Sequence, residues 1–420
     1  MRFLHCADIH LDSPLRGLER YEGAPVEEVR GATRRAFENL VQFALREKVD
    51  FVVIAGDLYD GDWPDFNTGL FFAKGMAQLG ESGIAVYVVR GNHDAASKLS
   101  RALRLPANVH LLAARAPQTI VNDALGLAVH GQSFATAAVT DDLAAGYPQA
   151  LRGHFNLGLL HTSMTGREGH EPYAPTTEQV LRAKGYDYWA LGHVHAREIV
   201  AREPWVVYPG NLQGRNIRER GAKGCELVTV EDGVISTESI ALDVLRWNEC
   251  ALDVSELADL DALLDQAQAA VRAHLVAADG RILGLRVRLH GTGSLHRELA
   301  ARPERVVEQL RAVALDASAG NVWLEKVAIA VRPAQDLARL GQGGDVVALL
   351  AQELATLGSA EPLLDIAREV LKDVRLKLPR EVIDDEGLDL EDPAVLLELL
   401  REAESEILAR LAGEADGDAR

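Results

Sequence analysis

Residues of the types that bind metal ions follow five apolar runs in the first half of the sequence. The runs are RFLHCA, FVVIAG, VYVVRG, LGLL and YWALG, and the polar residues that come after them are Asp8, His10, Asp57, Asp60, Asn92, His93, His161, His193 and His195. Imidazoles, carboxylates and an amide, with no thiolate, suit Mn²⁺, Fe²⁺ or Zn²⁺, and mixed nitrogen and oxygen ligation favours six-coordinate Mn²⁺. Any one of these motifs alone could be a polar turn or a structural histidine, so the prediction depends on all five together.

The spacing within the motifs favours a site for two ions. In Asp8-x-His10 and His193-x-His195, alternate positions of an extended chain point the same way, so both members can face one ion. The predicted ligands are Asp8, His10, Asp57, Asn92, His161, His193 and His195. Seven ligands are too many for one ion, but with a bridging carboxylate they divide between two ions about 3.5–4 Å apart.

Such a site has a definite chemistry. Two divalent ions bring about +4, Asp8 and Asp57 supply about −2, and a bridging hydroxide leaves about +1, which can hold and polarise a phosphodiester. The hydroxide can then attack phosphorus in line with the departing oxygen. The residues therefore predict phosphoester hydrolysis by a hydroxide that two metal ions activate.

The elements around the motifs predict how they converge. From residue 1 to about 240, apolar runs alternate with helical stretches, which indicates a largely parallel layer with covering helices and then a second group of strands. The carboxyl ends of neighbouring parallel strands face one crevice. We expect a domain over residues 1–245, a β-α-β-α-β domain over 246–335 and a helical, acidic region over 336–420.

Composition limits the class of protein. The chain has 420 residues, 48% hydrophobic and 25% charged, and its apolar runs are far shorter than the ~20 residues that span a membrane. The N-terminus has no secretory pattern, and three cysteines without paired spacing argue against disulfides, so we expect a cytoplasmic protein. Of the net charge of −19, residues 381–420 carry −11, which leaves the potential around the site undetermined.

The ordered motifs resemble those of the calcineurin-like metallophosphoesterase superfamily. The stretches HCADIHLDSP, AGDLYDGDWP, LGHVHAREIV and YPGNLQGRNIRE are similar to the DNA repair exonucleases of the SbcD and YhaO type, relatives of the double-strand-break repair nuclease. The resemblance implies a four-layer α/β/β/α sandwich with a small α/β capping domain and a helical C-terminal region.

The resemblance also implies a role for each residue. One ion would be bound by Asp8, His10, Asp57 and His195, and the other by Asp57, Asn92, His161 and His193, with Asp57 bridging. His93 would protonate the leaving 3′ oxygen, and Asp60 would hydrogen-bond His93 and raise its pKa. Archaeal relatives have a histidine where this chain has Asp60. Two divalent ions are expected, Mn²⁺ first, with Mg²⁺, Fe²⁺ or Zn²⁺ as alternatives.

The function expected from the resemblance is metal-dependent hydrolysis of DNA, as an exonuclease or endonuclease in repair or recombination. Asn211 and Arg215, just after the last ligand strand, are candidates for binding a phosphate. The expected partners are DNA and an SbcC-like, SMC-like ATPase, and a homodimer is an option that family members commonly use. The alternatives are a phosphomonoesterase or cyclic-nucleotide phosphodiesterase of the same superfamily, and a non-enzymatic subunit that keeps the site only to stabilise its fold.

Overall fold

The computed structural model describes residues 1–13, 25–60, 67–96, 104–165, 172–333, 361–377, 390–397, 399, 400, 403 and 407. The chain divides into two compact units. The first comprises Met1–Trp247 with Gly280–Leu283, and the second comprises Asn248–Asp279 with Gly284–Arg420.

The strands are numbered in chain order. They are β1 Arg2–Cys6, β2 Phe51–Ala55, β3 Ala85–Val89, β4 Val109–Leu111, β5 Gln118–Asn122, β6 Leu127–Gly131, β7 Phe155–His161, β8 Tyr188–Gly192, β9 Glu198–Arg202, β10 Trp205–Tyr208, β11 Gly224–Glu231, β12 Val234–Ala241, β13 Leu245–Asp253, β14 Ile282–Gly293 and β15 Val322–Pro333. The helices are α1 Val26–Arg30, α2 Ala32–Glu47, α3 Asn67–Glu81, α4 Asn92–Ala96, α5 Glu178–Ala183, α6 Leu260–Ala278, α7 His296–Ala301, α8 Pro303–Ser318 and α9 Glu361–Lys377, with a 3-10 turn at Ala144–Gly146.

Two six-stranded sheets form the first unit. Their strand orders are β12-β11-β1-β2-β3-β4 and β5-β6-β7-β8-β10-β9. Strands β1 to β4 are parallel to one another, as are β6, β7, β8 and β10. Because parallel strands end at the same edge of a sheet, the segments after β1, β2 and β3 lie side by side, and so do those after β7 and β8.

Apolar side chains fill the space between the two sheets. Phe3, Phe51 and Tyr87 come from the first sheet, and Leu157 and Tyr188 from the second; all five are buried. The ring of Phe3 stacks on that of Phe51 with centroids 4.7 Å apart, and Tyr188 meets Phe3 edge to face at 5.4 Å. This layer holds the two sheets face to face.

Helices cover the outer faces of both sheets. Phe37 of α2 and Phe72 of α3 pack against Ile54 and other residues of the first sheet, while Leu181 of α5 joins Trp189 on the far side of the second. The layers are therefore α/β/β/α, as predicted.

The helix expected over VEEVRGATRRAFENLVQFALREK is divided into α1 and α2 at Gly31, since glycine has the lowest helix propensity after proline.

The second unit contains a three-stranded sheet, in the order β13-β14-β15, on which α7 and α8 pack. The elements follow the predicted β-α-β-α-β order except that the second predicted helix is divided into α7 and α8. Helix α6 begins at Leu260, because the side chain of Asp259 accepts a hydrogen bond from the backbone N–H of Ala262 at 2.9 Å and caps the helix. Across the sheet, Arg286 of β14 donates two hydrogen bonds to Glu325 of β15, at 2.7 and 2.6 Å.

The predicted C-terminal helices are only partly described. The helix expected over EPLLDIAREVLKDVRLKL is α9, whereas the one expected over 345–358 lies outside the described residues. The last predicted helix is seen as helical backbone at 393–397. Within the described part of the chain, no helix combines the length and the apolar character that crossing a membrane requires.

Candidate metal centre

The turns that follow the ligand strands hold unusual backbone conformations. Asp8, His10, Asp57 and His193 all have positive φ, at 50°, 45°, 50° and 98°. Non-glycine residues rarely adopt this region, and those that do cluster at functional sites. Gly56 has φ of 96°, and a Cβ there would lie 2.5 Å from Nδ1 of His161, so this turn requires glycine.

Asp8, His10 and His195 form the first cluster. One ligand atom from each lies within 4.8 Å of the others. The Nε2 atoms of His10 and His195 are 3.2 Å apart, and the carboxylate of Asp8 is oriented by the backbone N–H of His193, which donates to its oxygens at 3.1 and 3.0 Å. The turns after β1 and β8 thus supply one group of ligands.

Asp57, His161 and His193 form the second cluster, again with ligand atoms within 4.8 Å of one another. Oδ1 of Asn92 lies 3.0 Å from Nε2 of His161, so the amide lies beside this second cluster. The other ring nitrogen of His161, Nδ1, is 2.9 Å from the carbonyl oxygen of Ala55. This contact fixes Nδ1 as a donor, so Nε2 is the atom that would bind a metal ion.

Asp57 lies between the two clusters. Its Oδ2 is 3.4 Å from Nε2 of His161 and 4.0 Å from Nε2 of His10, one histidine from each cluster. Its Oδ1 accepts a hydrogen bond from the backbone N–H of His93 at 3.0 Å. This is the position that a bridging carboxylate would occupy.

Burial and neighbouring charges together set the protonation of these groups. Burial raises the pKa of Asp8 to about 6, with His161 acting in the opposite direction. Burial lowers the pKa of His10 to about 3, so this ring is neutral at pH 7 and has a lone pair to offer. Burial alone would lower the pKa of His161, but Asp57 and Asp8 raise it to about 9.

These groups fit divalent cations. Asp8 and Asp57 are buried carboxylates, each 1% exposed, and burying two negative charges close together is costly unless a cation compensates them. The donors are carboxylate oxygens, an amide oxygen and imidazole nitrogens, the set that Mn²⁺, Fe²⁺ and Zn²⁺ share. The seven predicted ligands are therefore brought together as two sets that share Asp57.

His93 and Asp60 lie beside the first cluster. Nδ1 of His93 is 2.9 Å from Oδ1 of Asp60, and the His93 side chain is 39% exposed. Burial would lower the pKa of His93, but the hydrogen bond to Asp60 and the charge of Asp57 raise it. The ring is accessible and held by a carboxylate, as a proton donor requires.

Asn211 and Arg215, predicted to bind phosphate, have other partners here. Asn211 is fully buried and donates its amide hydrogens to the carbonyl oxygen of Gln213 and to Glu219, both at 2.8 Å. The guanidinium of Arg215 is 16% exposed and lies between Glu219, at 3.0 Å, and Asp60, at 3.6 Å. Both side chains adjoin the metal centre, and the Asn211 amide nitrogen and the Arg215 guanidinium both contact the carboxylate of Glu219.

Glu219 and Asp94 are two further buried carboxylates at the site, and of these Glu219 was not singled out from the sequence. Glu219 lies 2.7 Å from Nδ1 of His195. Asp94 accepts hydrogen bonds from the backbone N–H groups of Leu58, Tyr59 and Gly91, and so ties the turn after β2 to the turn after β3. Asp94 directly follows the motif Asn92-His93, whereas Glu219 sits in RERG, a run typical of a solvated loop.

Comparisons with known proteins identify a family. A model described as calcineurin-like phosphoesterase matches residues 1–197, and one described as metallophosphoesterase YhaO, middle domain, matches residues 247–332. The uncharacterized metallophosphoesterase YhaO of Bacillus subtilis is 36% identical over 272 residues, which are 64% of this chain and 67% of the relative.

More distant similarities extend to other proteins. The DNA double-strand break repair protein Mre11 of Methanopyrus kandleri is 28% identical over 230 residues, which are 50% of this chain and 48% of the relative. A dimetal phosphatase from Danio rerio is 12% identical, with 58% of this chain and 96% of that chain covered and a TM-score of 0.37. On the matches to YhaO and to the phosphoesterase model, this chain belongs to the calcineurin-like metallophosphoesterase family.

Proposed function

We propose that this protein is a metal-dependent phosphodiesterase that hydrolyses DNA, acting as an exonuclease in repair or recombination. The observation that carries the proposal is the pair of ligand clusters joined by Asp57, with the half-exposed His93 beside them. When bound, two divalent ions would hold the phosphate and lower the pKa of a water until it can attack phosphorus. Mn²⁺ is the proposed metal, because the donors are mixed nitrogen and oxygen ligands.

The residues of the chain supply the remaining steps. His93 donates a proton to the leaving oxygen, and Asp60 keeps its ring oriented and its pKa raised, so that more of it is protonated near neutral pH. Ser13 fixes Asp60 in turn, since its hydroxyl donates to Oδ2 at 2.7 Å. Ser13 and Asp60 therefore both act through His93, which delivers the proton to the leaving oxygen.

DNA is favoured over a small phosphoester by the second unit and by the relatives. Residues 247–332 match the middle domain of YhaO, and a small-molecule phosphatase has no need of such a domain. One relative is named as a DNA double-strand break repair protein. The second candidate, a phosphomonoesterase or cyclic-nucleotide phosphodiesterase, uses the same metal centre without these features.

One assay separates the two candidates. The full chain, loaded with Mn²⁺, is incubated with labelled double-stranded DNA, with single-stranded DNA, and with small phosphate monoesters and cyclic nucleotides, beside the variant His93→Ala. We expect digestion of DNA that His93→Ala abolishes. Rapid turnover of the small esters with intact DNA would contradict the nuclease and favour the second candidate.

We also propose an SMC-like ATPase as the partner, bound through the C-terminal region. Helix α9 exposes Ile366, Val370 and Val374, which are 59%, 71% and 48% accessible and recur every fourth residue, so that they form one apolar stripe. A stripe of this kind can pack on a coiled coil. Replacing all three with Glu and measuring co-purification with the ATPase is the test, and undiminished binding would contradict this proposal.

A further inference from the structure

The carboxylate of Glu219 is buried directly behind His195. The residue is 8% exposed, and its Oε1 lies 2.7 Å from Nδ1 of His195. Nε2 of the same ring lies 3.2 Å from His10, inside the first ligand cluster. We propose that Glu219 is a positioning residue that holds His195 in the orientation and tautomer that bind the first metal ion.

The hydrogen bonds of Glu219 leave it little freedom. Oε2 accepts from the backbone N–H of Arg215 at 2.7 Å and from the amide of Asn211 at 2.8 Å. Oε1 accepts from Nη2 of Arg215 at 3.0 Å, in addition to the histidine. Both oxygens are fixed from several directions, so the position of the carboxylate is determined by its surroundings.

The charge of Glu219 is compensated where it lies. A buried carboxylate is costly unless it is paired and hydrogen-bonded, and the guanidinium of Arg215 supplies that pairing. Burial alone would raise the pKa of Glu219, but Arg215 and His195 hold it well below its usual range. The guanidinium of Arg215 thus compensates the carboxylate that accepts a hydrogen bond from Nδ1–H of His195.

This contact decides which nitrogen of His195 can bind a metal ion. A neutral imidazole has one N–H, and placing it at Nδ1 leaves the lone pair on Nε2, the atom that faces His10. Carboxylates that accept from a ligating histidine in this way raise its basicity and fix its ring, and their loss typically costs about 10- to 100-fold in metal affinity. The backbone of His195 is also held, because Lys223 Nζ donates to its carbonyl oxygen at 2.7 Å.

Arg215 also lies near Asp60, the carboxylate that bonds the proposed proton donor His93. Its Nη1 lies 3.6 Å from Oδ2 of Asp60, which bonds His93 through its other oxygen. One guanidinium thus lies between the carboxylate that orients the metal ligand and the one that orients the acid. In this arrangement Asn211 and Arg215 act through Glu219, a different role from the phosphate contact that the sequence predicts.

The test is a calorimetric titration of the metal-free full chain with Mn²⁺. We expect Glu219→Gln to weaken one of two binding steps by about 10- to 100-fold and to leave the other unchanged. The weakened step must be the one that His195→Ala removes. The matched control is Asp243→Asn, which breaks another buried carboxylate–arginine pair of the same unit, with Arg246 at 2.9 Å, and should leave both steps unchanged.

A second measurement needs no variant and covers the case in which Glu219→Gln does not fold. Nitrogen-15 spectra of the histidine rings in metal-free wild type, at a pH where His195 is neutral, should show the Nδ1–H tautomer for His195. The Nε2–H tautomer, or Mn²⁺ binding by Glu219→Gln equal to that of wild type, would overturn the inference. The inference depends on the metal centre of the proposed function but not on its substrate, so a protein that is inert on DNA would not contradict it.

Discussion

The imidazole of His93 and the carboxylate of Asp60 are joined by a contact of 2.9 Å between Nδ1 and Oδ1. The contact links the turns after two neighbouring parallel strands, β2 and β3. Asp60 is also fixed by Ser13 and lies 3.7 Å from Nδ1 of the predicted ligand His10. One carboxylate thus orients the proposed acid and borders the metal centre.

Replacing Asp60 with Asn should slow turnover by about 10- to 1,000-fold, because the variant removes the charge that favours protonated His93. In the folded protein Asp60 raises the pKa of His93 against the effect of burial, so its loss should lower that pKa. The acid form exists below the pKa, so the alkaline limb of the pH profile should move to lower pH. Nuclear magnetic resonance titration of the metal-free protein and the pH dependence of kcat measure both effects.

The control for that variant is a His–Asp pair elsewhere in the first unit. Nε2 of His154 lies 3.5 Å from Asp123, whose side chain is 92% exposed. Asp123→Asn should leave kcat and its pH profile as in wild type. An unchanged profile for Asp60→Asn would show that His93 does not depend on this carboxylate.

His93→Ala and His193→Ala should separate acid catalysis from metal binding. His93 contributes its backbone N–H to Asp57 and its ring to Asp60, so removing the ring should abolish turnover with metal content near that of wild type. His193 belongs to the second ligand cluster, so its loss should release one ion. Elemental analysis of the purified variants beside the DNA assay tests this, and equal metal loss in both variants would contradict the division of roles.

Gly91→Ala should disturb the second ligand cluster. A Cβ at Gly91 would collide with Oδ1 of Asp57 and lie 2.8 Å from Nε2 of His161, so the proposed bridging carboxylate must shift. We expect weaker Mn²⁺ binding and a lower melting temperature in the absence of metal. Gly146→Ala is the control, because the nearest atom to its added Cβ is a ring carbon of Pro117 at 3.7 Å, an ordinary contact. Mn²⁺ binding by Gly91→Ala equal to that of the control would contradict the close packing of this turn.

The sequence predicts most of the site because the ends of buried strands can be recognised in it as polar residues that follow apolar runs. Buried strands are apolar, so Asp57 and Asn92 stand out where the runs FVVIA and AVYVV end, and parallel strands bring such ends to one edge. The left-handed backbone at Asp8 and Asp57 has no such signal, since aspartate adopts many conformations in turns. The predicted layers follow from the same alternation of apolar runs and helices.

Strand ends do not indicate which polar residues far apart in the sequence contact one another. Glu219 lies among charged residues in RERG, and only the fold brings it 2.7 Å from His195, 24 residues away along the chain. Arg215 was predicted to face a phosphate because it follows the last ligand strand, but two carboxylates from separate loops surround its guanidinium. The role of a charged residue in a loop depends on the groups that it contacts, and sequence spacing does not show those contacts.

Arg215→Met decides between the two roles for that residue. If the guanidinium acts through Glu219 and Asp60, as its 16% exposure and its contacts indicate, the variant should need more Mn²⁺ for half-maximal activity while KM for DNA changes little. If it binds phosphate, KM should rise and the Mn²⁺ dependence should stay as in wild type. Arg218 of the same loop is exposed, so Arg218→Met is the control for removing a positive charge from this loop. Assays over a matrix of Mn²⁺ and DNA concentrations measure both quantities, and a raised KM alone would restore the phosphate contact that the sequence predicts.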